Sequence, residues 1–307
     1  MAKTSSFVSR YLQFTEIKTK ITSLFPFLIS LIYLSYKNQP IKPIETIIFF
    51  IAMFLFDLET TAINNYIDTK TNGEEIPYSR KKAIAIIYIM LGICVLLGLL
   101  LVYFTNWIVL ILGIMCFVFG ILYTFGPLPI SRTPFGEIIS GIFYGFFIPL
   151  ILLYINFPED YYIVIDFTST QVLILANYIN LMHLIFLFTI PTLTTAAVML
   201  ANNICDLEKD ILQKRHTLVY YIGKEKSVIV FNWLYIISFL MIPILIILGD
   251  LGIFSLILLG GAIPIFKNLK QFEKEQIKSK TFIVSIKNYL IIHGGLVITM
   301  LLHNIIF

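Results

Sequence analysis

Long apolar stretches alternate along this chain with short polar ones, and the apolar stretches have the length of a membrane-crossing helix. Nine are read from the pattern, at 21–36, 44–67, 83–104, 107–124, 136–155, 172–204, 227–248, 251–267 and 284–306. A helix of about 20 apolar residues spans the hydrocarbon of a bilayer and satisfies its own backbone hydrogen bonds. The sixth stretch is too long for one straight span; Pro191 offers a kink, and residues 172–180 are expected along the outer interface. The pattern thus predicts an all-α membrane protein of about nine spans, with residues 1–307 as one integral-membrane domain.

Composition agrees, since 58% of the 307 residues are hydrophobic and only 13% charged, too little polar surface to coat a soluble globule. Lys and Arg collect in cytoplasmic loops. With the N-terminus inside, only Lys37 and Lys42 of the 22 basic residues fall outside. The loop carrying Glu159, Asp160 and Asp166 is then external. No removable signal peptide is expected. The three cysteines have neither disulfide nor metal-ligand spacing. A net charge of +4 is ordinary for a protein with basic inner loops and implies no nucleic-acid partner.

One motif occurs twice, as Asn64-Asn65-Tyr66-Ile67-Asp68 and Asn202-Asn203-Ile204-Cys205-Asp206, each near the end of a long apolar helix. Each follows small residues that let helices approach closely, Thr60-Thr61-Ala62 and Thr194-Thr195-Ala196-Ala197. Asn64 and Asp68 are spaced i, i+4, and Asn202, Asp206 and Asp210 continue i, i+4, i+8, so each set lines one face if its helix persists. Glu74, Glu75 and Glu208 add negative charge that a cation must offset. Hard oxygen ligands without paired His or Cys suit Mg2+, and the expected ligands are Asn64, Asp68, Glu74, Asn202, Asp206 and Asp210. Arg80, Lys81 and Lys82 follow the first motif, and Lys214 and Arg215 the second, placed to neutralise a leaving diphosphate. Both segments also fit plain solvated connectors, a reading against which the duplication weighs for Asp68, Asp206 and Asp210. Asp57 lies three turns deeper than Asp68, where an ionisable group either contacts a second substrate or bonds to neighbouring Thr side chains.

In these residues the chain resembles the UbiA superfamily of intramembrane prenyltransferases, over nearly its whole length. Three stretches resemble most the 1,4-dihydroxy-2-naphthoate polyprenyltransferases of menaquinone synthesis: NNYIDTKTNGEE at 64–75, LYTFGPLPISRTPFGE at 122–137 and NNICDLEKDILQKRHTLVYYIGKEK at 202–226. The middle stretch, with Tyr123, Gly126, Pro127, Pro129, Gly136 and Glu137, points to that branch in particular. The sequence departs from the family at Asn65, usually acidic, at Asn72, and at Cys205, often Arg, so that His216 is a candidate for one lost diphosphate contact. Asn65→Asp is expected to be tolerated.

The resemblance implies a bacterial plasma-membrane enzyme that uses Mg2+ and a polyprenyl diphosphate, with Asp68, Asp206, Asp210, Asn64 and Asn202 at its catalytic centre. It implies alkylation of an aromatic acceptor, 1,4-dihydroxy-2-naphthoate, at the carbon bearing its carboxylate, with loss of carbon dioxide and diphosphate to give demethylmenaquinone. Arg80, Lys82, Lys214 and Arg215 are expected on the diphosphate, Tyr66 and Tyr123 near the cationic prenyl group, and Lys18 and Asp57 toward the acceptor. The rivals are 4-hydroxybenzoate or haem as acceptor, and, from another class, a multi-pass transporter. Transporters concentrate binding groups near the bilayer midplane on broken helices, whereas both motifs here end helices beside cations.

Overall fold

The computed structural model describes residues 6–69, 75–168 and 170–307. The chain forms two compact units, one of residues up to Leu24 together with Pro43–Ile130, the other of Phe25–Lys42 together with Ser131–Phe307.

The first unit contains α1 (Phe7–Phe14), the start of α2 (Ile21–Tyr36), α3 (Pro43–Asp68), α4 (Arg80–Phe104) and α5 (Trp107–Thr124). Asn106 starts α5 by accepting from the Ile108 and Val109 amides, at 3.1 and 3.3 Å. Beneath the end of α3, a cluster of Phe14, Ala62, Tyr78, Ala83 and Ile87 joins α1, α3 and α4. Tyr78 fixes the N-terminal segment by donating to the Phe7 carbonyl at 3.1 Å.

The second unit is organised around α8 (Tyr178–Leu212), 35 residues long and the most buried of the apolar helices. Packed on it are α6 (Gly136–Ile142), a π-type turn at Phe143–Phe147, α10 (Lys224–Ile247) and α12 (Ile283–Ile306). The short helices α7 (Ile148–Asn156) and α9 (Leu218–Ile222), a 3₁₀ stretch at Ile253–Gly261 and α11 (Ala262–Lys274) complete it. Gly141 and Gly145, spaced as G-x-x-x-G, let α6 and the π-type turn press onto the α8 backbone. A Cβ at Gly141 would lie 2.5 Å from the Thr192 carbonyl oxygen, and one at Gly145 2.3 Å from the Thr192 nitrogen.

The end of α10 carries a buried charge cluster. Gly249 takes the left-handed conformation, φ 75°, that turns the chain. It leads into fully buried Asp250, whose carboxylate accepts from Tyr33 at 2.8 Å and pairs with Lys37 at 3.1 Å and His183 at 2.6 Å. This carboxylate binds α2, α8 and the α10 turn together, because a buried charge is retained only where it is paired and hydrogen-bonded.

Among the described residues eight helical segments are long and apolar enough to cross a membrane, and Ile21–Tyr36, of 16 residues, is a shorter apolar helix. Large apolar side chains such as Leu96, Tyr103, Ile114 and Trp233 are exposed along them, as expected of a surface whose solvent is lipid. The chain is an all-α, multi-pass membrane protein. One expected boundary is corrected: residues 172–176 are not helical but form strand β2, antiparallel to β1 (Ile163–Phe167). Their β-branched, continuously apolar sequence favours a strand as much as a helix. Asn177 then starts α8 by accepting from the Asn180 amide at 3.2 Å. Pro191 lies within a continuous α8.

Candidate active site

In the second unit the motif face persists as expected. Because α8 runs to Leu212, Asn202, Asp206 and Asp210 lie one turn apart on one face of its last three turns. Lys214, exposed and left-handed at φ 55°, reverses the chain, and the Arg215 amide donates to the Asp210 carbonyl at 2.8 Å. The Arg215 guanidinium lies 3.5 Å from the Asp210 carboxylate and donates to the Ser131 carbonyl at 3.4 Å. Arg215 therefore neutralises buried Asp210, while Lys214 remains in solvent. Exposed His216 is held by its amide on the Arg132 carbonyl at 3.0 Å.

In the first unit α3 likewise persists to Asp68, so half-buried Asn64 and Asp68 share a face. Arg80, at the start of α4, donates to the Tyr66 carbonyl at 2.9 Å and to Thr69 at 3.3 Å, with its guanidinium 5.2 Å from the Tyr66 ring centre. It thus closes the carbonyl end of α3. Lys82 is exposed and Tyr123, near the end of α5, is half-buried. Glu74 lies outside the described residues, as does the side chain of Lys18.

Asp57 is buried and fully engaged. Lys20, itself buried, donates to its carboxylate and to its carbonyl, each at 2.9 Å, and Ser23 donates to the other carboxylate oxygen at 2.6 Å. Thr60 and Thr61 donate to the Asp57 carbonyl at 3.0 and 3.3 Å. The Thr contacts foreseen for Asp57 thus exist, but on its backbone; the carboxylate is taken by Lys20. A charge at that depth calls for a cation, and Lys20 at the head of the first apolar helix supplies it from 37 residues away. The expectations named Lys18 beside Asp57 on the acceptor side and did not foresee this pair.

The roles of three further residues emerge only from the structure. The second Asn of each motif faces inward as a strut. Asn65 donates to the Phe14 carbonyl at 2.9 Å and to Glu16 at 3.1 Å, and Asn203 donates to buried Glu137 at 2.8 Å. Lys278, between α11 and α12, donates to Asp206 at 2.6 Å and to the Asn202 side-chain oxygen. No sequence spacing links Lys278 to a motif 72 residues away.

The donor set suits magnesium. Among the described residues no group of three or more His, Cys, Asp or Glu converges as a self-sufficient metal cage. Magnesium uses one or two carboxylates and leaves its other positions to water and phosphate oxygens. Asn202 and Asp206 present neutral and anionic oxygens close enough to share one cation, as the Lys278 ammonium demonstrates. Asn64 and Asp68 supply the same pair of oxygen types in the first unit.

Residues 23–286 match the model of the UbiA prenyltransferase family. Over 158 residues the chain is 30% identical to a 1,4-dihydroxy-2-naphthoate octaprenyltransferase of Bacillus subtilis strain 168, covering 52% of this chain and 44% of that protein. The chain thus spans less than half the length of this curated relative. Its fold is similar to a digeranylgeranylglyceryl phosphate synthase, with a TM-score of 0.64 and 21% identity over 95% of this chain and 98% of that one. It is also similar to a UbiA homologue of Archaeoglobus fulgidus bound to GPP and Mg2+, with a TM-score of 0.66 and 11% identity over the same shares. A single family match runs through both motifs and both compact units, and the chain belongs to the UbiA prenyltransferase family.

Proposed function

We propose that the chain transfers a polyprenyl group from polyprenyl diphosphate to 1,4-dihydroxy-2-naphthoate, releasing diphosphate and carbon dioxide and giving demethylmenaquinone in its reduced, quinol form, in a bacterial plasma membrane. The observation that carries this reading is the persistence of each Asn-x-x-x-Asp pair on one face of a helix end, together with the similarity to the naphthoate octaprenyltransferase. The N-terminus and both motifs are assigned to the cytoplasmic side and residues 156–171 to the outside, since that leaves only Lys37 and Lys42 external.

Magnesium, when bound, draws negative charge from the departing diphosphate. Asn64 and Asp68, with Glu74 as a further ligand, would hold such an ion in the first unit, and Asn202, Asp206 and Asp210 would hold one in the second. Asp68, Asp206 and Asp210 supply the anionic charge that fixes the ion, and Asn64 and Asn202 orient it. Arg80, Lys82, Lys214 and Arg215 act on the anionic end of the substrate, Arg215 from its place beside Asp210. The allylic C–O bond breaks with its electron pair leaving on diphosphate. The aromatic ring supplies the pair for the new C–C bond, and the electrons of the lost carboxylate restore the ring. Tyr123 and Tyr66 offer π faces to the cationic prenyl group. Lys18 and Asp57 lie on the acceptor side of this reading, Asp57 through the pair it forms with Lys20.

Mass analysis of products tests the acceptor. Purified protein with Mg2+ and an all-trans polyprenyl diphosphate is expected to yield the quinol form of demethylmenaquinone from 1,4-dihydroxy-2-naphthoate and to leave 4-hydroxybenzoate nearly unreacted. Comparable prenylation of 4-hydroxybenzoate would leave only the family assignment. A cysteine placed at 72 or 212 should resist an impermeant reagent applied to intact cells, and labelling from outside would overturn the orientation.

A further inference from the structure

Lys278 stands on a short, well-fixed turn. The Thr281 hydroxyl accepts from the Ile277 amide at 2.8 Å, and the Thr281 amide donates back to the Ile277 carbonyl at 2.8 Å. Thr281 is buried, so the turn that carries the four-carbon arm of Lys278 is anchored. Its ammonium lies against Asn202 and Asp206 and 4.7 Å from the centre of the Phe282 ring. The Lys278 side chain is 43% exposed and that of Asp206 23%. An ion pair this exposed contributes little to stability, so fold maintenance is a poor account of a lysine placed on two motif oxygens.

The two oxygens that hold Lys278 are those the proposed function gives to magnesium. An ammonium and a directly coordinated divalent ion cannot both occupy them. When the ion binds, like charge drives the ammonium away, and the anionic diphosphate that the ion carries is the nearest new partner for its three N–H donors. The Phe282 face gives the displaced cation a second contact.

Resting on the functional reading above, we propose that Lys278 is an exchangeable counter-charge of the second motif: it neutralises Asn202 and Asp206 until a divalent ion takes their oxygens, and then binds the diphosphate. This assigns a diphosphate-binding residue to the segment between α11 and α12, outside both motifs and the basic residues that follow them.

Mn2+ and inorganic diphosphate are the probes, read by the electron paramagnetic resonance of free Mn2+ over the purified full-length protein. Lys278→Met keeps the length of the side chain and removes its charge. It should bind Mn2+ alone about two- to fivefold more tightly than the unaltered protein, the range an exposed ion pair commands. It should bind diphosphate in the presence of Mn2+ about tenfold or more weakly, the loss expected for a charged hydrogen bond. Lys278→Arg should restore diphosphate binding, which excludes misfolding as the cause. If Lys278→Met leaves either affinity unchanged, the exchange is wrong while the metal site stands. If the unaltered protein and Asp206→Asn bind Mn2+ equally, with and without diphosphate, the reading of the motif fails, and this proposal with it.

Discussion

Substituting Gly145 with Ala drives a wedge between two helices that carry site residues. The added Cβ would lie 2.3 Å from the nitrogen and 2.4 Å from the Cα of Thr192, and 2.6 Å from the carbonyl carbon of Pro191. All three are backbone atoms and cannot rotate away, and the shortfall from ordinary contact is roughly 1 Å. Overpacking of this kind typically destabilises by about 1–3 kcal/mol. The effect reaches the site, because Gly145, Gly141 and Glu137 follow one another at i, i−4 and i−8 along one face, and Glu137 accepts from Asn203 at 2.8 Å. A displacement of about 1 Å breaks that bond and moves the turn of α8 bearing Asn202 and Asp206, where such a misplacement costs on the order of a hundredfold in rate. Gly98→Ala is the control, since nothing lies within 4 Å of its Cβ position and Ala favours the helix by about 0.5–1 kcal/mol. Diphosphate release at saturating substrates and thermal inactivation of the purified protein are the assays. Gly145→Ala should be slow and labile and Gly98→Ala neither; identical behaviour of the two would refute the packing argument.

Activity should require a divalent ion, and Asp68→Asn, Asp206→Asn and Asp210→Asn should each lower turnover by orders of magnitude; full turnover in excess EDTA would exclude these acids as ligands. Lys20→Met strands the buried Asp57 carboxylate and should destabilise by about 3–5 kcal/mol, whereas Lys20→Met with Asp57→Leu recovers most of that; additive losses across the unfolding cycle would show that the two do not interact. Asn65→Asp, tolerable by family pattern, should instead destabilise by about 1–3 kcal/mol, because it removes the donor to Phe14 and sets a second carboxylate beside Glu16. Unchanged thermal stability would contradict this.

What the sequence made legible follows a simple division. Helical spans and the motif faces were readable because they depend on local periodicity, and α3 and α8 persist through Asp68 and Asp210 as that periodicity requires. The small residues before the second motif were read as a close-packing surface, and Gly141 meets Ala196 there, with Gly145 against Pro191 and Thr192 just before it. Contacts between distant segments were not readable. Nothing in the local pattern says that Lys20 rather than Lys18 pairs with Asp57, that Lys278 reaches Asp206, or that His183 and Asp250, far apart in sequence, share a bond. The β1–β2 hairpin was missed for another reason, since a short run such as VLILA satisfies strand and helix patterns equally.

The proposed reaction turns on attack at the naphthoate carbon that bears the carboxylate, and 1,4-dihydroxy-2-naphthoate labelled in that carboxyl group reports that attack. Purified protein with Mg2+ and polyprenyl diphosphate should release labelled carbon dioxide and diphosphate in equal amounts, at one rate, with no release when Asp206 is replaced by Asn. A prenylated naphthoate that retains the label would contradict attack at that carbon.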